Sequence, residues 1–231
     1  MTATRVTRLL LVLVLAGIAG FFAYRLTARH TSTLSVASVA SRPLQPAQPS
    51  PATVTPRQIP EVVPEIAMPD RAGTRRKLSE WRGRPLLINF WATWCEPCRR
   101  EIPLLQRLRS QYSGEGLEVI GIAVDSRDAV LKYAEEMHID YPVLIGEQEG
   151  LDAVTSFGME TVFPFSVFTD SEARIVTLKV GELHADEAAF ILSRVHDVDV
   201  GHLGLPAARR EIAAAMQQLA ADRAHAAVDT R

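Results

Sequence analysis

The chain has 231 residues, of which 47% are hydrophobic and 23% charged, so it can form one well-buried domain with additional segments. Its net charge of −2 gives no indication of a nucleic-acid-binding surface. It contains only two cysteines, Cys95 and Cys98.

Residues 1–27 predict a membrane anchor. The apolar run from Leu9 to Tyr24 spans roughly 24 Å at about 1.5 Å per residue, short of a bilayer core of about 30 Å. Flanking apolar residues and snorkelling arginines can supply the difference. A cleaved signal peptide is the alternative, but Arg25 follows the run and no A-x-A-like site lies there. We favour an uncleaved, single-pass anchor with its amino terminus inside, and either interpretation predicts an exported protein.

Residues 28–60 predict a linker. This segment is rich in proline, serine, threonine and alanine. It contains too few large apolar residues to offset the entropy of ordering. The composition is typical of a semi-extended tether, although a tail without a spacing role fits equally well.

Strands and helices alternate from residue 61 onward. Residues 76–85 are interpreted as a short turn-rich segment before the first strand. The apolar runs predict strands at 86–93, 117–125 and 141–145, and a hairpin formed by 165–170 and 175–182. Helical periodicity predicts helices at 101–112, 128–138, 151–158 and 185–195, with a kink at Pro103. This order predicts an α/β fold with a mixed β-sheet flanked by helices on both faces.

The segment FWATWCEPCRRE, residues 90–101, carries the most specific signal. A WCxxC motif directly after a buried strand, with Pro103 five residues past the second cysteine, resembles the thioredoxin-like fold. Residues 61–197 more closely resemble the membrane-anchored TlpA/ResA-like thiol–disulfide oxidoreductases, which include the reductases of cytochrome c maturation. An additional strand and helix between Val124 and Gly158 fit that group.

Three uses of the cysteine pair compete. A disulfide that closes so short a loop removes little entropy from the unfolded chain, which argues against a structural staple. Two thiolates supply half of a tetrahedral metal site, and no histidine lies at a paired spacing with them. A copper(I) metallochaperone, with Met159 or His138 as a third ligand, is the alternative function. Redox exchange needs only the residues present and is favoured, without any cofactor besides the Cys95–Cys98 disulfide.

Other enzyme classes are less consistent with the motif. Peroxidases of this fold place a threonine three residues before the reactive cysteine, whereas Ala92 occupies that position. An inactive scaffold is the third possibility.

The position of the motif predicts a role for each residue in it. Cys95 should lie at the amino-terminal end of a helix, where unpaired N–H groups and the helix dipole favour a thiolate, so we expect it to attack. Pro97 suits the first turn of that helix. Cys98, one turn later, should be more buried and act as the resolving thiol.

Two carboxylates, Glu96 and Glu101, lie beside the cysteines. Plain thioredoxins carry a buried aspartate six residues before the first cysteine, where this chain has Asn89. Glu101 matches the acid of the ResA-like pattern CEPCxxE, and the resemblance makes it the candidate general acid/base. A surface glutamate paired with an arginine is the alternative. Negative charge beside Cys95 disfavours its thiolate and so favours a reductase over a strong oxidant.

Four positions predict a substrate-binding surface: Trp94, Pro97, Phe163 and Pro164. The resemblance places Pro164 at the cis-proline that faces the active site, which would leave the Phe163 backbone free to pair with an extended substrate segment. Phe163 is bulkier than the residue commonly found there, so specificity should differ. Trp94 is expected to form an exposed apolar rim, whereas Trp91 is expected in the core.

Residues 198–231 predict a C-terminal helical extension. LPAARREIAAAMQQLAADRAHAAV, residues 205–228, reads as one helix with a narrow apolar stripe. We favour docking of this stripe on its own domain over dimerisation.

Together these patterns predict an exported, membrane-tethered oxidoreductase, a reductase in direction. The predicted location is the inner (cytoplasmic) membrane, with the catalytic domain in the periplasm or outside the cell membrane. The resemblance implies periplasmic client proteins with disulfides or thiols, including apocytochrome c, and a membrane electron-donor reductase. The other predicted partner is the lipid bilayer, through residues 1–27, and no nucleic acid is expected. An external dithiol is required because two cysteines cannot regenerate themselves by an internal relay.

Overall fold

The computed structural model describes residues 58–229, and a five-stranded mixed β-sheet organises them. A two-stranded antiparallel hairpin precedes the sheet. The strands are β1 (Ala67–Pro69), β2 (Arg75–Lys77), β3 (Leu86–Trp91), β4 (Glu118–Ala123), β5 (Val143–Ile145), β6 (Phe165–Thr169) and β7 (Ile175–Val180). The helices are α1 (Glu96–Gln111), α2 (Arg127–Glu136), α3 (Gln148–Ser156), α4 (Ala185–Asp199) and α5 (Leu205–Asp229).

The order across the sheet is β5-β4-β3-β6-β7. Strand β3 pairs parallel with β4 and antiparallel with β6, and every residue of β3 and β4 is buried. Burial on both faces explains why these two strands are nearly continuous apolar runs in the sequence. The polar exception in β3 is Asn89, which pairs with Gly121 on one side and Ser166 on the other.

Each face of the sheet carries its own core. Because side chains alternate along a strand, Leu87 and Trp91 face one side, where α1, α2, α4 and α5 pack. Ile88 and Phe90 face the other, covered by α3 and the hairpin. The predicted mixed sheet with helices on both faces is therefore confirmed, as is the core position of Trp91.

The structure adds elements to the predicted set and extends others. Strands β1 and β2 were missed because β1 (AMP) ends in proline and β2 (RRK) contains no apolar residue, whereas the equally short β5 is an apolar run. Helix α1 begins at Glu96, directly after Cys95 as the motif predicts and five residues before the periodic segment 101–112, and Pro103 lies inside it without ending it. Helix α3 is followed by Gly158 at φ 73°, a conformation that glycine adopts without strain.

The C-terminal helix docks on its own domain, as predicted. Helix α5 packs against α4 and β7, and its Ala208 and Ile212 are buried in the first core. Arg209 adds a hydrogen bond of 2.6 Å from its guanidinium to the Ile175 carbonyl oxygen.

Within residues 58–229, no helix is long and apolar enough to span a bilayer. The predicted anchor, residues 1–27, and most of the predicted linker lie outside the described residues.

Candidate active site

The two cysteines meet at the start of α1. Cys95 is the N-cap residue of this helix, and its Sγ accepts a hydrogen bond of 3.3 Å from the Cys98 backbone N–H. The two sulfurs form a disulfide. Cys95 is 6% exposed and Cys98 is 0% exposed. The predicted helix-terminal position of Cys95 and the deeper burial of Cys98 are both confirmed, and Pro97 lies in the first turn.

Glu101 lies one turn after Cys98 and is only 2% exposed. Its Oε1 accepts a 2.7 Å hydrogen bond from Asn89 Nδ2, and its Oε2 accepts another of 2.7 Å from the Leu183 backbone N–H. Burial raises the pKa of Glu101 to about 7, although both hydrogen bonds act to lower it. The alternative of a surface glutamate paired with an arginine is wrong, because this carboxyl is buried and bonded to uncharged donors.

Asn89 connects Glu101 to the sheet. Its Nδ2 also lies 3.0 Å from Ser166 Oγ on the neighbouring strand. The sequence analysis treated Asn89 only as a residue that cannot accept a proton, whereas the structure gives it the role of a donor to Glu101. A polar residue in the middle of a buried apolar strand was the available signal.

The loop of residues 181–184, between β7 and α4, supplies the other donor to Glu101. Lys179 Nζ donates to the Glu182 carbonyl oxygen at 3.2 Å. The Glu182 carboxylate binds Arg100 of α1, with a shortest distance of 2.6 Å. Sequence reasoning missed this loop because Leu183 lies 82 residues from Glu101 along the chain and uses only its backbone.

Glu96 differs sharply from Glu101. Its side chain is 75% exposed and forms an ion pair of 3.1 Å with Arg100. Arg100 thus contacts two carboxylates, those of Glu96 and Glu182. Exposure and the ion pair reduce the electrostatic influence of Glu96 on the cysteines.

An apolar surface borders the disulfide. The Phe163–Pro164 peptide bond is cis, as predicted. Trp94 is 68% exposed, and its ring meets that of Phe163 edge-on with centroids 6.0 Å apart. Within the described residues, no backbone hydrogen bond involves Phe163. The structure therefore brings Trp94, Phe163 and Pro164 together on one surface.

No group of three or more His, Cys, Asp or Glu side chains placed to hold a metal ion occurs in the described part of the chain.

A thiol at a helix N-cap, a second thiol one turn later and a buried carboxyl with a pKa near neutrality can exchange electrons and protons with another disulfide. The fold and the site define a thiol–disulfide oxidoreductase with a thioredoxin-like fold. Residues 59–176, more than half of the chain, match the AhpC/TSA family, and the chain belongs to that family.

Relatives of known class agree with this assignment. The thiol–disulfide oxidoreductase ResA of Bacillus anthracis is 27% identical over 139 residues, which is 60% of this chain and 79% of that protein. A thiol:disulfide interchange protein of the thioredoxin family from Chlorobium tepidum is 26% identical, with a TM-score of 0.52 over 61% of this chain and 96% of that one. These similarities confirm the predicted TlpA/ResA-like resemblance and enzyme class.

A secreted thiol–disulfide isomerase from Corynebacterium glutamicum is 24% identical and shares the fold, with a TM-score of 0.54 over 58% of this chain and 85% of that one.

Proposed function

We propose that this protein is a membrane-tethered reductase of disulfides in exported client proteins. The observation that carries the proposal is Glu101, a buried carboxyl with a pKa of about 7, one turn beyond Cys98 on α1. Such a group can accept or release a proton near neutral pH while the cysteines exchange disulfides. In its ionised form its negative charge disfavours a neighbouring thiolate. This opposes the stabilised reduced state that makes a strong oxidant.

The reaction has two exchange steps. The Cys95 thiolate attacks a client disulfide, forms a mixed disulfide and releases the first client sulfur as a thiolate. Glu101 then accepts the proton of the Cys98 thiol, and the Cys98 sulfur attacks Cys95 Sγ and releases the second client thiolate. One client thiolate takes up the proton that Glu101 received from Cys98, and the other takes up from solvent the proton that Cys95 released on ionising. The client gains two electrons, and the Cys95–Cys98 pair is oxidised to the disulfide.

The apolar surface beside the disulfide is the proposed client-binding site. An extended client segment would pair with the Phe163 backbone and rest against the Trp94 ring. The aromatic ring of Phe163 leaves less space for the client side chain that faces it. We therefore expect small or flat side chains at that point of the client segment. Pro97, in the first turn of α1, is the fourth residue of the proposed client-binding site.

The location and partners follow from the sequence. The apolar run within residues 1–27 supports a single-pass anchor in the cytoplasmic membrane, and residues 28–60 support a tether to an enzyme domain on the periplasmic or outer side. A membrane dithiol donor must reduce the Cys95–Cys98 disulfide after each turnover. Periplasmic proteins, including apocytochrome c, are the proposed clients, because the ResA-like group includes reductases of cytochrome c maturation.

The reduction potential of the Cys95–Cys98 couple tests the direction. It would be measured on the purified full chain, equilibrated with thiol–disulfide buffers and titrated by alkylation. A value at or below about −200 mV supports a reductase, since about 30 mV corresponds to roughly 1.4 kcal/mol for this couple. A value of about −120 mV would instead identify an oxidant that introduces disulfides. Stoichiometric copper(I) uptake that disappears when both cysteines are alkylated would replace the proposal with the metallochaperone alternative.

A further inference from the structure

The C-terminal helix α5 lies beyond the part of the chain that matches the family, yet ion pairs connect it to the start of α4, next to the loop that contacts Glu101. Arg223 of α5 contacts the Glu187 carboxylate through its guanidinium, and lies 3.1 Å from Asp186. Both acids are in the first turn of α4. Glu187 is 2% exposed, so its charge requires nearby cations or donors.

Glu187 has partners on the side towards the active site as well. Its Oε2 lies 3.5 Å from Lys179 Nζ and accepts a 3.1 Å hydrogen bond from the His184 backbone N–H. One buried carboxylate thus joins two cations, Arg223 and Lys179, that come from different elements. Removal of either cation would leave the other to balance the charge alone.

Lys179 connects Glu187 to the loop that serves Glu101. Its Nζ donates to the Glu182 carbonyl oxygen, and the next residue, Leu183, donates its N–H to Glu101. Arg100 holds the Glu182 side chain from α1. The loop is therefore fixed from two sides, and one of these depends on α5.

We propose that α5 completes the active site, with Arg223 acting through Glu187 and Lys179 to position the 181–184 loop that donates the Leu183 hydrogen bond to Glu101. Arg223, Glu187 and Lys179 are positioning residues for exchange, and this inference rests on the proposed role of Glu101. Without Arg223, Lys179 Nζ is drawn towards Glu187 and away from the Glu182 carbonyl oxygen. The 181–184 loop then loses this hydrogen bond and becomes more mobile. The positive charge that offsets the carboxylates near Glu101 is also reduced.

Glu101 faces charged and titratable groups from several elements. They are Lys179 of β7, Glu182 of the loop and Tyr141 before β5. Lys179 lowers the pKa of Glu101 and Glu182 raises it. Burial raises the pKa of Tyr141, which therefore stays protonated and neutral throughout the relevant pH range.

The test compares Arg223→Gln, Glu187→Gln and a control, Arg210→Gln, in the full chain. Arg210 is exposed on the same helix and makes no ion pair within the described residues. The Glu101 carboxyl would be titrated by ¹³C NMR and assigned with Glu101→Gln. We expect the pKa of Glu101 to rise by about 0.5 pH unit in Arg223→Gln and to fall by about as much in Glu187→Gln. Arg210→Gln should leave it unchanged.

Amide hydrogen exchange at Leu183 reports the loop directly. We expect this amide to exchange about fivefold faster in Arg223→Gln than in Arg210→Gln, which matches a local loss of about 1 kcal/mol. Arg223→Lys should restore most of the protection, because it keeps the charge. A general loss of stability would instead speed amide exchange throughout the core in both Arg223→Gln and Glu187→Gln. It would also shift the pKa of Glu101 in the same direction in these two variants.

Two outcomes would overturn the inference. One is a shift of the same sign in Arg223→Gln and Glu187→Gln, and the other is Leu183 exchange in Arg223→Gln equal to that of the control. Neither readout requires turnover. A failure of the proposed function, seen as wild-type protein without disulfide-reducing activity, is therefore distinguishable from a failure of this coupling.

Discussion

The two cysteines have different surroundings although only three residues separate them. Cys95 is the N-cap of α1 and receives the Cys98 N–H, whereas Cys98 is fully buried behind it. An N–H group aimed at a sulfur stabilises a thiolate there, and access favours the outer sulfur as the attacking group.

Single-cysteine variants test these roles. Cys98→Ala should accumulate mixed disulfides with client proteins, because the thiol that releases the client is missing. Cys95→Ala should accumulate none, because the attacking thiol is missing. Non-reducing electrophoresis of trapped complexes, with the double variant as control, measures the difference. Equal trapping by the two single variants would contradict the assigned roles.

Glu101 and Glu96 form a natural pair for comparison, since one carboxyl is buried and the other exposed. Glu101→Gln should slow disulfide exchange at least about tenfold near pH 7, as expected when a general acid/base is lost. Glu96→Gln makes the same change of charge on the surface and should have little effect. Stopped-flow measurement of exchange with a model disulfide gives both rates. A Glu101→Gln rate equal to that of wild type would exclude the acid/base role.

At the scale of elements, the close approach of β4 to two aromatic side chains shapes the region beside Asn89. Gly121 pairs with Asn89 across the sheet. A Cβ atom at Gly121 would lie 2.9 Å from Trp91 Nε1 and 3.0 Å from Tyr141 Cε2. Both rings are fully buried and have little room to move.

Gly121→Ala should therefore lower the free energy of unfolding by about 1–3 kcal/mol, the usual cost of overpacking a core. Gly114→Ala is the matched control, because a Cβ there would meet nothing within 4 Å. Urea denaturation of both variants measures the effect. Equal stabilities would show that the sheet accommodates the added methyl group without cost.

The apolar residues of helix α5 predicted its packing, whereas its charged residues did not predict their contacts. Its apolar stripe correctly predicted docking, because buried Ala208 and Ile212 recur at helical spacing. Its charged residues carried no comparable pattern. Arg223 forms an ion pair with Glu187 only because the packing of α4 against α5 brings the two side chains together.

For the whole molecule, a buried acid makes stability depend on pH. The pKa of Glu101 is about 7 in the folded protein against a usual value of 4.5. Between these values the folded state binds more protons than the unfolded state, so the free energy of unfolding falls as pH rises. The loss is complete above the folded pKa and amounts to at most about 3 kcal/mol.

Denaturation at pH 5 and pH 8 tests this dependence. Wild-type protein should lose more stability than Glu101→Gln between the two pH values, because glutamine does not ionise. Glu96→Gln should follow wild type. Parallel changes in wild type and Glu101→Gln would contradict the raised pKa of Glu101.

The sequence by itself determined the fold class, the order of most elements, the helix-terminal cysteine pair and the position of the cis-proline. The resemblance to the TlpA/ResA-like group supplied the position of the cis-proline. The other features depend on local patterns: apolar runs that mark buried strands, helical periodicity, and a WCxxC motif whose chemistry needs few other residues. The resemblance also singled out Glu101, which lies in the same short segment, as the candidate acid/base.

Only the tertiary structure decided how Glu101 is held. Asn89 and Leu183 donate hydrogen bonds to Glu101 from positions 12 and 82 residues away in sequence. Ser166 in turn contacts Asn89 from a neighbouring strand. The sequence likewise did not predict the short hairpin β1–β2 or the series of contacts from Arg223 to the 181–184 loop. A backbone N–H donates wherever the fold places it, and a charged side chain finds its partner only when packing brings the two elements together. Neither event leaves a local pattern in the chain.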